Sequence, residues 1–141
     1  MKAVLDTNVV VSGVIKSEGP PGQILRAFLE EGRFTSVTSL EILAEIREAL
    51  SREKIRKYHG WTDEQIDSFV AFLYAQSVAT EGKFAVDLIT KDPRDNKFLA
   101  CAWEGNAEHL VTGDDHLLEL GVYGGTRILS PAAFLVLLQA A

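Results

Sequence analysis

The stretch LVTGDDHLLEL, residues 110–120, places two adjacent aspartates between a short apolar run and a helical pattern. An Asp at the N-cap of a helix accepts hydrogen bonds from free backbone N–H groups and favours the positive end of the helix dipole. One of the two carboxylates, Asp114 or Asp115, is enough for this capping. The second carboxylate therefore indicates a further role, and the flanking patterns predict a strand followed by a helix.

Outward from this stretch, strand-like and helical patterns alternate along the chain. Five short β-rich runs read KAVLD, FTSVT, QSVAT, EHLVT and TRILS, with QSVAT as an edge strand. The helical patterns between them carry cap signals at Gly32, Ser39, Thr62 with Gln65, Asp92 with Pro93, and Pro131. This alternation predicts a parallel sheet covered on both faces. We expect one α/β domain over residues 1–141, a three-layer α/β/α sandwich with a central parallel sheet of four or five strands.

The composition agrees with a single buried core, since the chain has 141 residues and 47% of them are hydrophobic. The net charge of −6 argues against a protein whose whole surface binds nucleic acid, but it allows a local site where acids hold cations. The single Cys101 cannot form an intramolecular disulfide, which favours a buried thiol and a cytoplasmic location. No stretch reaches the ~18 apolar residues of a membrane span, so we expect no membrane partner.

Several acids follow predicted strands, and ligands of open parallel sheets bind at the carboxyl ends of the strands. Asp6 ends the first strand, and Asp114 follows the HLVT strand after one glycine, so both are expected at the same sheet edge. Asp95 is expected at the third position of a helix capped by Asp92, where an acid also suits the helix dipole. Each of these acids has an alternative role in a turn or a cap.

A further acid is expected on the helix SLEILAEIREAL, residues 39–50. Glu41, Glu45 and Glu48 share the polar side of this helix, and Glu45 lies nearest to its apolar stripe. The spacing gives Glu45 only a slight preference over Glu41. Geometry alone leaves both residues open.

The segment SREKIRKYHGW, residues 51–61, is rich in basic residues, which are Arg52, Lys54, Arg56 and Lys57. It fits a patch that contacts phosphates, with Trp61 available to stack on a base. It equally fits the solvated face of a helix. Both interpretations remain open at this point.

Four segments, taken together in this order, resemble a PIN domain of the VapC-type toxin kind: AVLDTNVVVSG, SLEILAEIREAL, DPRDNKFLACA and HLVTGDDHLL. The resemblance covers essentially the whole chain. It implies four acidic ligands at Asp6, Glu45, Asp95 and Asp114, with Asn8 and Thr112 as polar supports and Asp115 assisting in some members. It also implies an endoribonuclease that uses Mg²⁺ or Mn²⁺ as one or two ions, an antitoxin partner and a homodimer.

The chemistry of phosphodiester cleavage explains why acids are needed, because a divalent ion activates water and stabilises phosphoryl charge. Carboxylates are the oxygen ligands that suit Mg²⁺ and Mn²⁺. We expect Asp6, Asp95 and Asp114 to bind metal, Glu45 to bind metal or orient water, and Asn8 and Thr112 to hold carboxylates by hydrogen bonds. Asp114 should then face the metal while Asp115 caps the helix, although the two could exchange roles. His59, His109 and His116 lack the spacing of a competing zinc site.

The sequence therefore predicts a metal-dependent endoribonuclease that cleaves single-stranded RNA, as the toxin of a toxin–antitoxin pair. A phosphatase with an aspartate nucleophile needs an acid where Asn8 stands, and no Gly-rich loop indicates a nucleotide site. The alternative left open is a PIN-fold module that binds RNA or protein without cleavage. The run AAFLVLL, residues 132–138, is apolar nearly all round, which favours burial by a second chain or an antitoxin, or else full burial in the core.

Overall fold

The computed structural model describes residues 1–86 and 93–140. Within these ranges the strands are β1 (Lys2–Leu5), β2 (Thr35–Ser39), β3 (Val78–Thr80), β4 (His109–Val111), β5 (Val122–Tyr123) and β6 (Thr126–Leu129). They form one sheet in the order β3-β2-β1-β4-β6-β5. All neighbouring strands are parallel except β5 and β6, which are antiparallel. The carboxyl ends of β1 and β4 therefore lie side by side at the centre of the sheet.

The described helices are α1 (Thr7–Ile15), α2 (Pro20–Leu29), α3 (Leu40–Ser51), α4 (Glu53–His59), α5 (Asp63–Gln76), α6 (Asn96–Glu104), α7 (Asp115–Leu120) and α8 (Pro131–Ala140). Helix α1 packs against α2 and α3, α2 packs against α8, and α6 packs across β1, β2 and β4. The consecutive residues Ala3, Val4 and Leu5 of β1 are all buried, as expected for a strand covered on both faces. The predicted three-layer α/β/α fold is confirmed.

The sheet has one more strand than expected. The five β-rich runs correspond to β1, β2, β3, β4 and β6, whereas β5 was not predicted. Two residues are too few to show an alternating pattern, and β5 exists because the Gly124–Gly125 turn folds it back on β6. Gly124 adopts a φ of 57°, which a residue with a side chain rarely takes.

The helix-end signals at Ser39, at Thr62 with Gln65 and at Pro131 are confirmed, whereas those at Gly32 and Pro93 differ. Ser39 caps α3 by accepting a hydrogen bond from the backbone of Ile42, and Thr62 and Gln65 form the expected capping box on α5. Gly32 was expected to be the C-cap of α2. The helix instead ends at Leu29, and Gly32 lies beyond its C-cap with a φ of 59°, where it turns the chain towards β2.

The start of α6 also differs from the expectation. Pro93 does not begin the α-helix, because Pro93–Asp95 form a 3₁₀ turn and α6 starts at Asn96. Asp95 is therefore the N-cap residue of α6 rather than its third residue. Such 3₁₀ turns are common at helix N-termini. Asp92, the expected cap, lies outside the described residues.

Cys101 is buried as expected, whereas helix α8 is buried on one face only. The Cys101 thiol is buried, and this burial raises its pKa to about 12. Phe134 and Leu138 are buried in the core, whereas Val136 is 63% exposed. One face of α8 is thus left exposed by the residues that the structure describes. Among the described helices, none has the length and apolar character needed to cross a bilayer.

Candidate metal centre

The four predicted acids line one cleft at the carboxyl edge of the sheet. The cleft has a volume of about 190 Å³ and is lined by Asp6, Thr7, Asn8, Glu45, Ala49, Arg52, Arg94, Asp95, Phe98 and Asp114. These side chains come from segments far apart in sequence, and the parallel arrangement of β1 and β4 brings two of them together. An acidic, polar cleft of this kind suits a cation or a ligand bound through one.

Asp6 follows β1 directly and is the N-cap of α1. One carboxylate oxygen accepts a hydrogen bond from the backbone N–H of Asn8 at 3.2 Å, and the other accepts from Thr112 Oγ1 at 2.6 Å. Asp6 itself takes the extended conformation of a cap residue, and its side chain accepts the capping hydrogen bond from the backbone N–H of Asn8. The carboxylate is thereby fixed at both oxygens.

The environment of Asp6 disfavours its charge. Burial is the largest effect and raises the pKa of the carboxyl above its usual value, and the charges of Glu45 and Asp114 raise this pKa further. The hydrogen bonds from Thr112 and Asn8 act in the opposite direction because they favour the ionised form. A cation bound in the cleft would offset the cost of this buried charge.

Asp114, and not Asp115, caps α7. Its Oδ1 accepts hydrogen bonds from the backbone N–H groups of His116 at 2.9 Å and Leu117 at 3.1 Å. Asp115 is the exposed first residue of the helix, so the expectation that Asp115 caps α7 is wrong. The reason is local, since Asp114 has extended dihedral angles at the end of the turn after β4. Asp114 therefore combines capping with a place in the cleft.

Thr112 joins the two central acids. Its fully buried hydroxyl donates to Asp6 and accepts a hydrogen bond from the backbone N–H of Asp114 at 3.0 Å. Asn8 contributes differently from the expectation, since its backbone N–H holds Asp6 while its exposed side chain lines the cleft. The expected support by the Asn8 side chain is therefore replaced by support from its main chain.

Glu45 lies in the cleft, whereas Glu41 is exposed in the first turn of α3. Thr7 Oγ1 donates a hydrogen bond to Glu45 Oε1, and Lys97 Nζ lies 2.8 Å from Glu45 Oε2. Sequence reasoning missed Thr7 and Lys97. The available signal was the position of Lys97 in the first turn of α6, two residues after a predicted ligand.

Asp95 is buried and belongs to a compact group of possible metal-binding atoms. Ligand atoms of Asp95, Asp114 and His116 all lie within 4.8 Å of one another. The spacing of the histidines argues only against a zinc site, and His116 was not among the predicted ligands. The signal that could have found it is its position two residues after Asp114, in the first turn of the same helix. Two carboxylates and one imidazole form a donor set that fits a divalent cation.

The basic segment contributes to the cleft through one residue. Arg52 lines the cleft and lies 3.4 Å from Glu48, while Lys54 and Lys57 are exposed on α4. Arg56 instead bonds to Asp63 at 2.6 Å and to the backbone carbonyl of Trp61 at 2.9 Å. The Trp61 ring packs between His59 and Phe69 rather than standing free for a base. Arg94 is a further cation at the cleft that the sequence reasoning missed.

Known proteins of similar sequence and fold identify the family of this chain. The family model for the PIN domain matches residues 2–116. An uncharacterised protein of Methanocaldococcus jannaschii, MJ1680, is 36% identical over 121 residues, which cover 85% of this chain and 75% of that protein. A chain in the crystal structure of VapBC2 from Rickettsia felis, bound to a DNA fragment from their promoter, has the same fold. That match has a TM-score of 0.57 at 17% identity and covers 92% of this chain and 98% of the other. The chain belongs to the PIN domain family.

Proposed function

We propose that this protein is a divalent-metal-dependent endoribonuclease that cleaves phosphodiester bonds in single-stranded RNA. One observation carries the proposal: four acidic side chains from separate segments line one cleft, and they are Asp6, Glu45, Asp95 and Asp114. Membership of the PIN domain family supports it, because PIN domains are generally nucleases.

The donor set supports Mg²⁺ or Mn²⁺ as one or two ions. We assign Asp6, Asp95 and Asp114 as ligands, with Glu45 as a further ligand or as the base that orients water. Carboxylate oxygens suit both ions. When bound, such an ion activates water for attack and stabilises the charge that develops on the phosphoryl oxygens.

The surrounding residues orient the carboxylates and supply positive charge. Asp6, Asp95 and Asp114 each stand at the N-cap of a helix, where the helix dipole offsets part of the repulsion between the acids. Lys97 holds Glu45. We propose that Arg52, which lines the same cleft, attracts an RNA phosphate to the acids.

We further propose that the protein is the toxin of a toxin–antitoxin pair, with an antitoxin protein as its partner. The likeness in fold to a chain of the VapBC2 structure supports this assignment. We also propose a homodimer and a cytoplasmic location. The exposed apolar side chain of Val136 on α8 supports the dimer, and the lone buried thiol of Cys101 supports the reducing compartment.

Incubation with a panel of single-stranded RNAs tests the proposal. Cleavage should require Mg²⁺ or Mn²⁺, should stop with excess chelator, and should fall by about 100-fold or more in Asp6→Asn, because Asn keeps the shape of Asp but removes its charge. Asp115→Asn is the matched control, since this exposed acid lies outside the cleft, and it should cleave like wild type. Undiminished cleavage in chelator would refute the proposal. Metal-independent binding of RNA without cleavage would favour the alternative of a non-cleaving binding module.

A further inference from the structure

His116 occupies an unusual position beside the acids of the cleft. Its backbone N–H donates to Asp114 Oδ1 at 2.9 Å, so the cap of α7 fixes its main chain. Its Nδ1 lies 3.9 Å from the same oxygen, which is too far for a hydrogen bond. The His116 side chain is 40% exposed, but its Nδ1 faces inwards, is shielded from solvent and has no hydrogen-bond partner among residues 1–86 and 93–140. A polar nitrogen kept dry without a partner carries an energetic cost unless something binds it.

The neighbours of this imidazole are metal-binding atoms. Ligand atoms of Asp95, Asp114 and His116 all lie within 4.8 Å of one another. Atoms that share one ion at about 2.1–2.3 Å are separated by up to about 4.5 Å, so small side-chain adjustments bring the three to one cation. The neutral imidazole has a lone pair on one ring nitrogen and can therefore act as a ligand.

The third donor changes which ion the cleft favours. Mg²⁺ takes oxygen ligands and gives up its own water reluctantly. Mn²⁺ accepts carboxylates as Mg²⁺ does, but nitrogen ligands favour transition metals over Mg²⁺. A site with two carboxylates and one imidazole is thus better matched to Mn²⁺.

We propose that His116 is a metal ligand of the cleft and makes it selective for Mn²⁺ over Mg²⁺. This inference rests on the proposed function, because it concerns the same metal centre. It adds the identity of one ligand and of the preferred ion. Binding measurements can test it without any RNA.

Calorimetric titration with MnCl₂ and with MgCl₂ separates the two ions. Wild type should bind Mn²⁺ at least about tenfold more tightly than Mg²⁺ because only Mn²⁺ gains from the nitrogen ligand. His116→Asn should weaken Mn²⁺ binding by about tenfold and change Mg²⁺ binding by no more than about twofold. Glu119→Gln, which removes an exposed acid from the same helix, is the control and should keep the wild-type preference. Thermal melts in chelator establish that each variant is folded.

Pulsed electron paramagnetic resonance of the Mn²⁺ complex gives a second readout. A directly bound imidazole produces nitrogen-14 modulation, which we expect in wild type and in Glu119→Gln but not in His116→Asn. The wild-type spectrum tests the inference even if the variant fails to fold. Mn²⁺ binding that depends on Asp95 but lacks this modulation, or an unchanged preference in His116→Asn, would overturn the role of His116 and leave the proposed function standing. Absence of metal binding in wild type, or binding unaffected by Asp95→Asn, would overturn the metal centre itself.

Discussion

Lys97 Nζ lies 2.8 Å from Glu45 Oε2, so a salt bridge joins α6 to α3 beside the acidic cleft. The two side chains are only 10% and 28% exposed, which sets this pair apart from the exposed ion pairs of the surface. Removal of one member of a shielded pair leaves the other charge without compensation. Substitution of Lys97 therefore tests how charge near Glu45 affects the site.

Lys97→Met should lower the free energy of unfolding in chelator by about 1–2 kcal/mol. This loss is smaller than that expected for a fully buried pair because the Glu45 side chain is partly exposed to solvent. In MnCl₂ the loss should be smaller, because a cation near Glu45 replaces the missing charge. Urea unfolding in each condition measures the difference. Lys57→Met is the control, since Lys57 is exposed on α4 and should respond equally in both buffers. An equal loss of unfolding free energy with and without Mn²⁺ would show that the bound ion does not interact with Glu45.

The hydroxyl of Thr112 should be needed for cleavage as well as for stability. Thr112→Val keeps the shape but leaves Asp6 and the backbone N–H of Asp114 each without one buried partner, at a cost of about 1–3 kcal/mol. Cleavage of single-stranded RNA and the affinity for Mn²⁺ should both decrease, because Asp6 loses its orientation. Thr112→Ser should restore both, since the hydroxyl returns. Full metal affinity in a folded Thr112→Val protein would argue that Thr112 has only a structural role.

Stability should depend on pH through His109, at the amino end of β4 and therefore away from the cleft. Burial is the largest cause that lowers the pKa of His109 below its ordinary value, so the folded protein favours the neutral ring. The stabilising contribution of this neutral ring is complete above the unfolded pKa of about 6.5 and is lost as the pH falls towards the lower folded value. Urea unfolding between about pH 7.5 and about pH 5.5 should show a smaller decrease for His109→Gln than for wild type. Identical slopes would contradict this role.

The sequence was sufficient for the fold and for the acids that follow strands. Asp6 and Asp114 could be placed together because the carboxyl ends of parallel strands share one edge. Glu45 could not be separated from Glu41 by its spacing, since the choice depends on how α3 packs against α1. The partnership of Lys97 with Glu45 was equally hidden, because it depends on the relation between two helices that are distant in sequence.

The starts of α6 and α7 could not be predicted because helix boundaries depend on local backbone conformation. Asp95 was expected inside α6, but a 3₁₀ turn precedes the helix and makes Asp95 its N-cap. Asp115 was expected to cap α7, but Asp114 does so. The sequence alone does not determine which of two adjacent acids takes the extended conformation of a cap. Boundaries that shift by one to three residues change which side chains enter a site. His116 lies near the acids from its place in the first turn of α7, two residues after Asp114.

Association through α8 should depend on its exposed apolar face. Val136 is 63% exposed, and Val136→Asp should shift a homodimer to monomer in light scattering because the charge would have to be buried at the contact. Val122→Asp is the control, since Val122 is 59% exposed on β5, outside α8. A wild-type protein that remains monomeric at high concentration would contradict the proposed homodimer.

The adjacent acids Asp114 and Asp115 allow capping to be separated from metal binding. Asp114→Asn keeps an oxygen that can accept the cap hydrogen bonds, so the stability in chelator should change little. The same substitution removes a carboxylate from the cleft, so cleavage and the stabilisation by Mn²⁺ should both be lost.

Asp114→Ala should lose these two properties and, in addition, about 1 kcal/mol of stability in chelator, because it removes the cap as well. Asp115→Asn should retain cleavage, since this side chain is exposed and does not line the cleft. Thermal melts with and without Mn²⁺, together with cleavage of single-stranded RNA, measure the three variants in parallel. If Asp114→Asn cleaves RNA and responds to Mn²⁺ like wild type, Asp114 is only a helix cap. If Asp115→Asn alone loses both properties, the exposed acid binds the ion and α7 must begin differently in the metal-bound protein.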